Sequence, residues 1–113
     1  MENPILTLYF LSKKGGGSLL ESKFKKILIE DLKCRFTGCI VLHNDATLIQ
    51  GFPDLLVLFR DKWAALEVKK DKNSSFQPNQ EYYLNLLDAM GYASAVWPEI
   101  KEEVLDELEI FFQ

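Results

Sequence analysis

Hydrophobic positions along this chain recur with two periods. Leu20, Phe24, Ile27, Leu28 and Leu32 fall at helical spacing, the stripe by which an amphipathic helix faces a core. Ser18 and Glu21 stand three apart at its head, a capping-box pair, so the helix starts at Ser18. Gly15-Gly16-Gly17 before it forms a loop, since three glycines in a row favour no regular element. Cys39 to Leu42 is an apolar run read as a strand. Asp54–Phe59 and Trp63–Lys69 flank the polar Arg60-Asp61-Lys62 and predict a β-hairpin. A second helix opens at Pro78, whose missing N–H costs little in a first turn, and runs to about Met90 with Gly91 as its cap. Ala93–Trp97 reads as a strand. After Pro98, the residues Ile100, Val104, Leu108 and Phe111 mark a last amphipathic helix with its acids on the wet face. Residues 5–11 add a short strand or a docking arm.

This order predicts an α/β domain, a mixed central sheet flanked by helices, spanning 1–113. Its core is expected over about 18–98, with 99–113 as a C-terminal acidic helix. Both faces of the hairpin are mostly apolar, so the sheet is expected to be covered on both sides.

Alternation puts Asp54, Leu56 and Leu58 on one face of their strand and Trp63, Ala65, Glu67 and Lys69 on one face of the next. A two-residue turn at Arg60-Asp61 pairs positions summing to 121 and sets Asp54 opposite Glu67; a three-residue turn shifts this by one. Directly opposed side chains have Cβ atoms about 4.5–5.5 Å apart. Two carboxylates that close repel unless a proton or a cation lies between them. Mg²⁺ takes oxygen ligands, commonly one or two carboxylates, and the Val68 carbonyl offers another. Lys69, two residues beyond Glu67, is placed to serve a water or a phosphate. The plain alternative is a surface ladder of ion pairs, Asp54–Lys69 and Glu67–Lys70.

Charge alters this picture less than it first suggests. The chain of 113 residues has 13 basic and 17 acidic side chains, a net −4, which weighs against a polyanionic partner. Residues 98–113 alone carry −5, however, and the rest of the chain is +1. Lys13, Lys14, Lys23, Lys25 and Lys26 form one basic cluster, and Lys70 and Lys72 extend the hairpin end. Hydrophobic residues are 48% of the total, too many for a disordered chain. No apolar run approaches the ~20 residues that span a bilayer, and the start has no basic leader. With two cysteines, Cys34 and Cys39, an intracellular protein is expected. The single histidine, His43, is read as structural and leaves no Ser/His/Asp triad to build. The cysteines lack the partners of a zinc site. Gly15-Gly16-Gly17-Ser18 lacks the ending of a Walker loop, so no nucleotide cofactor is expected.

The motifs also carry a resemblance. Gly51-Phe52-Pro53-Asp54, a gap of 12 residues, then Glu67-Val68-Lys69 resembles the PD-(D/E)XK nuclease signature. Pro53-Asp54-Leu55-Leu56, Glu67-Val68-Lys69-Lys70 and Gln77-Pro78-Asn79-Gln80 opening a helix resemble the VRR-NUC family in its stand-alone virus and phage form. The resemblance covers about 18–98 and implies a restriction-endonuclease-like core. It implies a metal-dependent endonuclease acting on DNA, with branched junctions, flaps and nicked duplex as candidate substrates. Asp54 and Glu67 would ligate Mg²⁺ or Mn²⁺ with Glu21 and the Val68 carbonyl, Lys69 would serve the attacking water, and Gln80 would sit beside the site. Lys13, Lys14, Lys23, Lys70 and Lys72 are the candidate phosphate contacts. A homodimer is expected, because two scissions need two sites, with residues 5–11 and Phe111-Phe112 as candidate interface pieces. The rival function is a non-catalytic nucleic-acid-binding or adaptor module that keeps the fold.

Overall fold

The structure, a computed structural model, describes residues 19–44, 48–75 and 77–113. The Ser18 cap, the triple glycine, residues 5–11, Lys13 and Lys14 lie outside the described residues.

Helix α1 (Leu19–Arg35) turns Phe24, Leu28 and Leu32 inward, and Phe36 just beyond it extends the row. These are four apart, so the row drifts slowly around the helix. Leu20 and Ile27, expected on the same stripe, are exposed at 65% and 50%. At about 100° per residue both lie roughly 100° or more from the centre of the row, whereas Glu21 falls on it. The buried face of α1 is thus led at its N-terminal end by a carboxylate.

Strands β1 (Ile40–His43), β2 (Leu55–Phe59), β3 (Lys62–Val68) and β4 (Tyr92–Val96) form one mixed sheet in that order. The first two pairings are antiparallel and β3–β4 is parallel. Helix α2 (Gln80–Met90) lies in the β3–β4 crossover, as a parallel pair requires. Leu55 pairs with Leu66 and Phe59 with Lys62, so the hairpin turn is the two-residue Arg60-Asp61. Arg60 has φ 57°, the positive φ that tight hairpin turns need at their first central position.

Side-chain alternation assigns the helices to faces. Phe36, after α1, stacks on Phe59, and Phe112, after α3 (Lys101–Phe111), packs edge-on against both. Tyr92 packs on Phe111 and donates its hydroxyl to Glu107 of α3. Helices α1 and α3 therefore share the Phe59–Tyr92 face. On the other face α2 closes over Trp63, whose ring lies against Gly91; a Cβ there would come within 3.0 Å of it. Among the described residues the fold is α/β, with helices on both faces of a four-stranded mixed sheet.

Both faces of the β2–β3 hairpin are covered, with no exposed position in either strand; among the described residues β1 is an edge strand, and Ile40 and Leu42 are exposed at 55% and 45%. Two expectations are corrected. Phe112 cannot serve an interface, because the chain's own Phe36 and Phe59 bury it. Pro78 precedes the second helix rather than lying in it, since Asn79 adopts a left-handed conformation, φ 70°, before Gln80. The acids of α3 are also not all free. Arg35 at the end of α1 binds Asp106, Glu109 and Glu102, and Lys101 binds Asp31.

Leu66 is fully buried in the central strand β3. Leu66→Ala is expected to cost about 2–5 kcal/mol in urea unfolding, from lost transfer energy and the cavity left behind. Ile110→Ala, at a position 65% exposed, is expected to change stability by less than about 0.5 kcal/mol.

Candidate functional site

One end of the sheet gathers the charged residues. It is where β2 begins, β3 ends and β4 ends. The first half of α1 arrives there from one face and the start of α2 from the other.

Continuing the β2–β3 register by one residue sets Asp54 opposite Glu67. Two hydrogen bonds carry this order past the strands. Asn44 N–H donates to the Asp54 carbonyl at 2.8 Å, and Lys69 N–H donates to the Val96 carbonyl at 2.9 Å. The Val68 N–H is spent locally, donating to Asp54 Oδ2 at 2.9 Å. That bond fixes one oxygen of Asp54 and leaves Oδ1 facing Lys25 Nζ at 3.7 Å.

Glu67 is almost wholly buried, with Lys69 beside it. Its Oε2 accepts from Gln80 Nε2 at 2.7 Å and lies 3.5 Å from Lys69 Nζ. The Lys69 ammonium also donates to the Ser75 carbonyl at 3.1 Å. Gln80 is oriented in turn: its Oε1 accepts from Gln77 N–H at 2.8 Å, so its NH₂ points to Glu67. Neither ion pair of the ladder alternative forms; Asp54 pairs with Lys25 and Glu67 with Lys69.

The electrostatics follow from this crowding. Burial first, and then the nearby Asp54 carboxylate, push the Glu67 carboxyl up to about 8, and Lys69 opposes without prevailing. Burial likewise raises Glu21, with Lys69 pulling it down and Asp54 adding to the rise. The buried Oε1 atoms of both Glu21 and Glu67 have no hydrogen-bond donor. Leaving a buried acceptor unpaired costs about 1–3 kcal/mol.

Those two bare oxygens suit a cation. Asp54 Oδ1, held only by an ion pair to a flexible lysine, is a third oxygen within the same field. The donor set is all oxygen, as hard divalent ions prefer. Among the described residues no three His, Cys, Asp or Glu side chains form a group that could hold a metal ion. The best fit is therefore an open site on Asp54 and Glu67, the one or two carboxylates on which Mg²⁺ commonly sits, with Glu21 adding charge nearby.

The remaining site residues divide by position. Lys70 is half-buried and close enough to act on Glu21, while Lys23 and Lys72 are exposed. The single histidine, His43, is exposed at the end of β1 and pairs in register with Leu55. Sequence reasoning placed Lys25 only in a general basic wall, although it lies one turn after Glu21 and on the same helix side. The Ser75 carbonyl and Gln77 N–H left no signal, because both act through backbone atoms. No protein-family model, curated protein or solved structure matches the chain.

The raised Glu67 carboxyl sets the sign of a pH effect. Its folded value, about 8, lies above the usual 4.5, so between these values the folded state binds more proton than the unfolded one. The contribution of Glu67 to stability is then fully present below pH ~4.5 and is lost as pH rises toward 8. Urea titrations in a metal chelator are expected to show this decline, and Glu67→Gln is expected to flatten it. An equally steep decline in the variant would assign the effect to another group.

Proposed function

We propose that the protein is a divalent-metal-dependent endonuclease that hydrolyses DNA phosphodiesters, with a restriction-endonuclease-like core of the VRR-NUC kind. The observation that carries the reading is the convergence of Asp54, Glu67 and Lys69 at one sheet end, with bare buried oxygens on Glu67 and Glu21. The strand order with antiparallel, antiparallel and parallel pairings also supports it, since it brings these residues to one end.

Asp54 and Glu67 would hold the ion, Mg²⁺ or Mn²⁺. When bound, it supplies a Lewis acid at the scissile phosphate and acidifies the attacking water. Glu67 meets that task in an ionised form, so ion binding displaces the proton that burial favours. Gln80 takes one oxygen of Glu67 and leaves Oε1 uncommitted. Lys69, steadied between Glu67 and the Ser75 carbonyl, orients the water or neutralises the charge growing on the phosphate. Lys25 partly offsets the charge of Asp54. Lys23, Lys70 and Lys72 meet backbone phosphates, so binding weakens steeply with salt.

The test is purified protein with plasmid, nicked duplex, flap and four-way-junction substrates in Mg²⁺ or Mn²⁺. Cleavage is expected with either ion and none in chelator. Lys69→Ala is expected to lower the rate about 10²–10⁴-fold, and Asp54→Ala to abolish Mn²⁺ binding in calorimetry. Equal rates for wild type and Lys69→Ala would overturn the catalytic assignment. DNA binding without cleavage would favour the adaptor module.

Each chain offers one such site, and paired incisions across a branch need two. A homodimer is therefore part of the proposal. Light scattering is expected to return twice the 13.0 kDa chain mass, and a monomer at working concentration would count against it.

A further inference from the structure

Gly51 is buried and has φ +90°. A Cβ built on it would meet the Pro78 carbonyl oxygen at 2.4 Å, the Asn79 carbonyl carbon at 2.7 Å and Asn79 Cβ at 2.8 Å. These neighbours are mostly backbone, which cannot swing aside. The approach is therefore one that no other residue permits. It joins two segments that are distant in sequence. On one side is the chain that reaches Asp54 three residues later. On the other is the turn that launches α2, where Asn79 is itself left-handed at φ 70°.

From that turn the contacts run directly to the buried carboxylate. Gln80 N–H donates to the Gln77 carbonyl at 3.2 Å, and Gln77 N–H donates back to Gln80 Oε1 at 2.8 Å. The amide so held donates to Glu67 Oε2 at 2.7 Å. A second contact closes the joint outside, where Phe52 packs on Tyr83 at 5.7 Å.

We propose that the seating of Gly51 on the Pro78–Asn79 turn is a positioning device: it orients the Gln80 amide toward Glu67, the carboxylate that the sheet register sets opposite Asp54. Gly51 is thus a positioning residue for the site, and the inference rests on the functional reading above only where a metal is involved. The joint matters because neither half is held by sheet hydrogen bonds. Gln80 begins a helix, Gly51 lies in a loop, and their separation is fixed by this close approach.

Gly38 supplies the control. It has nearly the same conformation, φ +92°, with nothing within 4 Å of a built Cβ. Gly38→Ala therefore imposes the backbone strain of a left-handed alanine without a collision. Gly51→Ala imposes both.

The first readout needs no metal: hydrogen exchange of the Gln80 side-chain amide, followed by NMR at constant pH in chelator. Exchange is expected to quicken about two- to tenfold in Gly51→Ala, the equivalent of losing one net hydrogen bond, and to stay at the wild-type rate in Gly38→Ala. The second readout is Mn²⁺ affinity by calorimetry, expected to fall about 10–100-fold in Gly51→Ala alone, as for loss of a partner that orients a ligand. If Gly51→Ala does not fold, Asn79→Pro gives the same reading. Proline forbids the left-handed turn yet is tolerated beside a helix start, and the same loss of Gln80 protection is expected.

Gln80 protection unchanged in folded Gly51→Ala or in Asn79→Pro would overturn the proposal, as would equal loss in Gly38→Ala. Should the wild type bind no Mn²⁺ while Gly51→Ala alone loses Gln80 protection, the joint stands and the nuclease reading fails.

Discussion

The repulsion between two carboxylates sets the terms for the rest of this structure. The β2–β3 register places Asp54 opposite Glu67 and cannot relax, because a slip of one residue would turn the side chains of the slipping strand to the opposite face. The core thus enforces a local arrangement that electrostatics resists. Each partner found at the sheet end answers that resistance. Lys25 faces Asp54, Lys69 faces Glu67, the Val68 N–H holds one Asp54 oxygen, and Gln80 holds one Glu67 oxygen. They compensate only in part, and burial leaves Glu67 with its proton held to about pH 8. On the proposed function, a divalent cation would take the place of that proton and complete the compensation.

The helices contribute through their ends as much as their faces. Helix α1 brings Glu21 and Lys25 to the site on the same row that packs Phe24, Leu28 and Leu32. The azimuth of a catalytic candidate is therefore fixed by ordinary core packing. Helix α2 contributes Gln80 from its first position, while Leu84 and Leu87 anchor it to the sheet. Polar residues sit where apolar rows run out at the edge of the core, and there the charge is both shielded from solvent and reachable.

Much of this was legible in the sequence because it depended on period. The hairpin and the end of α2 followed from alternation and from Gly91, whereas alternation left the turn at two or three residues, and only the Phe59–Lys62 pairing sets Asp54 opposite Glu67. The α1 stripe is centred away from Leu20 and Ile27, which are apolar but exposed, and Glu21, which its i+3 and i+7 neighbours Phe24 and Leu28 put at the border of the stripe, has a buried oxygen. The last helix was placed correctly but its buried end was not, since Phe111 and Phe112 are adjacent and only the aromatic cluster with Phe36 and Phe59 decides between them. Contacts made by backbone atoms, such as the Ser75 carbonyl on Lys69, were invisible because any residue could supply them.

The Arg35 clamp has a consequence for how the molecule meets a charged polymer. It pins the acidic face of α3 to the C-terminal end of α1, while Glu21 and Lys25 mark the other end. The 14 residues from Glu21 to Arg35 span roughly 21 Å of helix. Among the described residues, the acids that Arg35 binds and the Lys25 that faces Asp54 thus lie toward opposite ends of α1. A polyanion exerts a torque on such a body as well as a force. It would repel the α3 acids and attract the lysines beside Glu21, so a modest net negative charge need not oppose a contact made through that end.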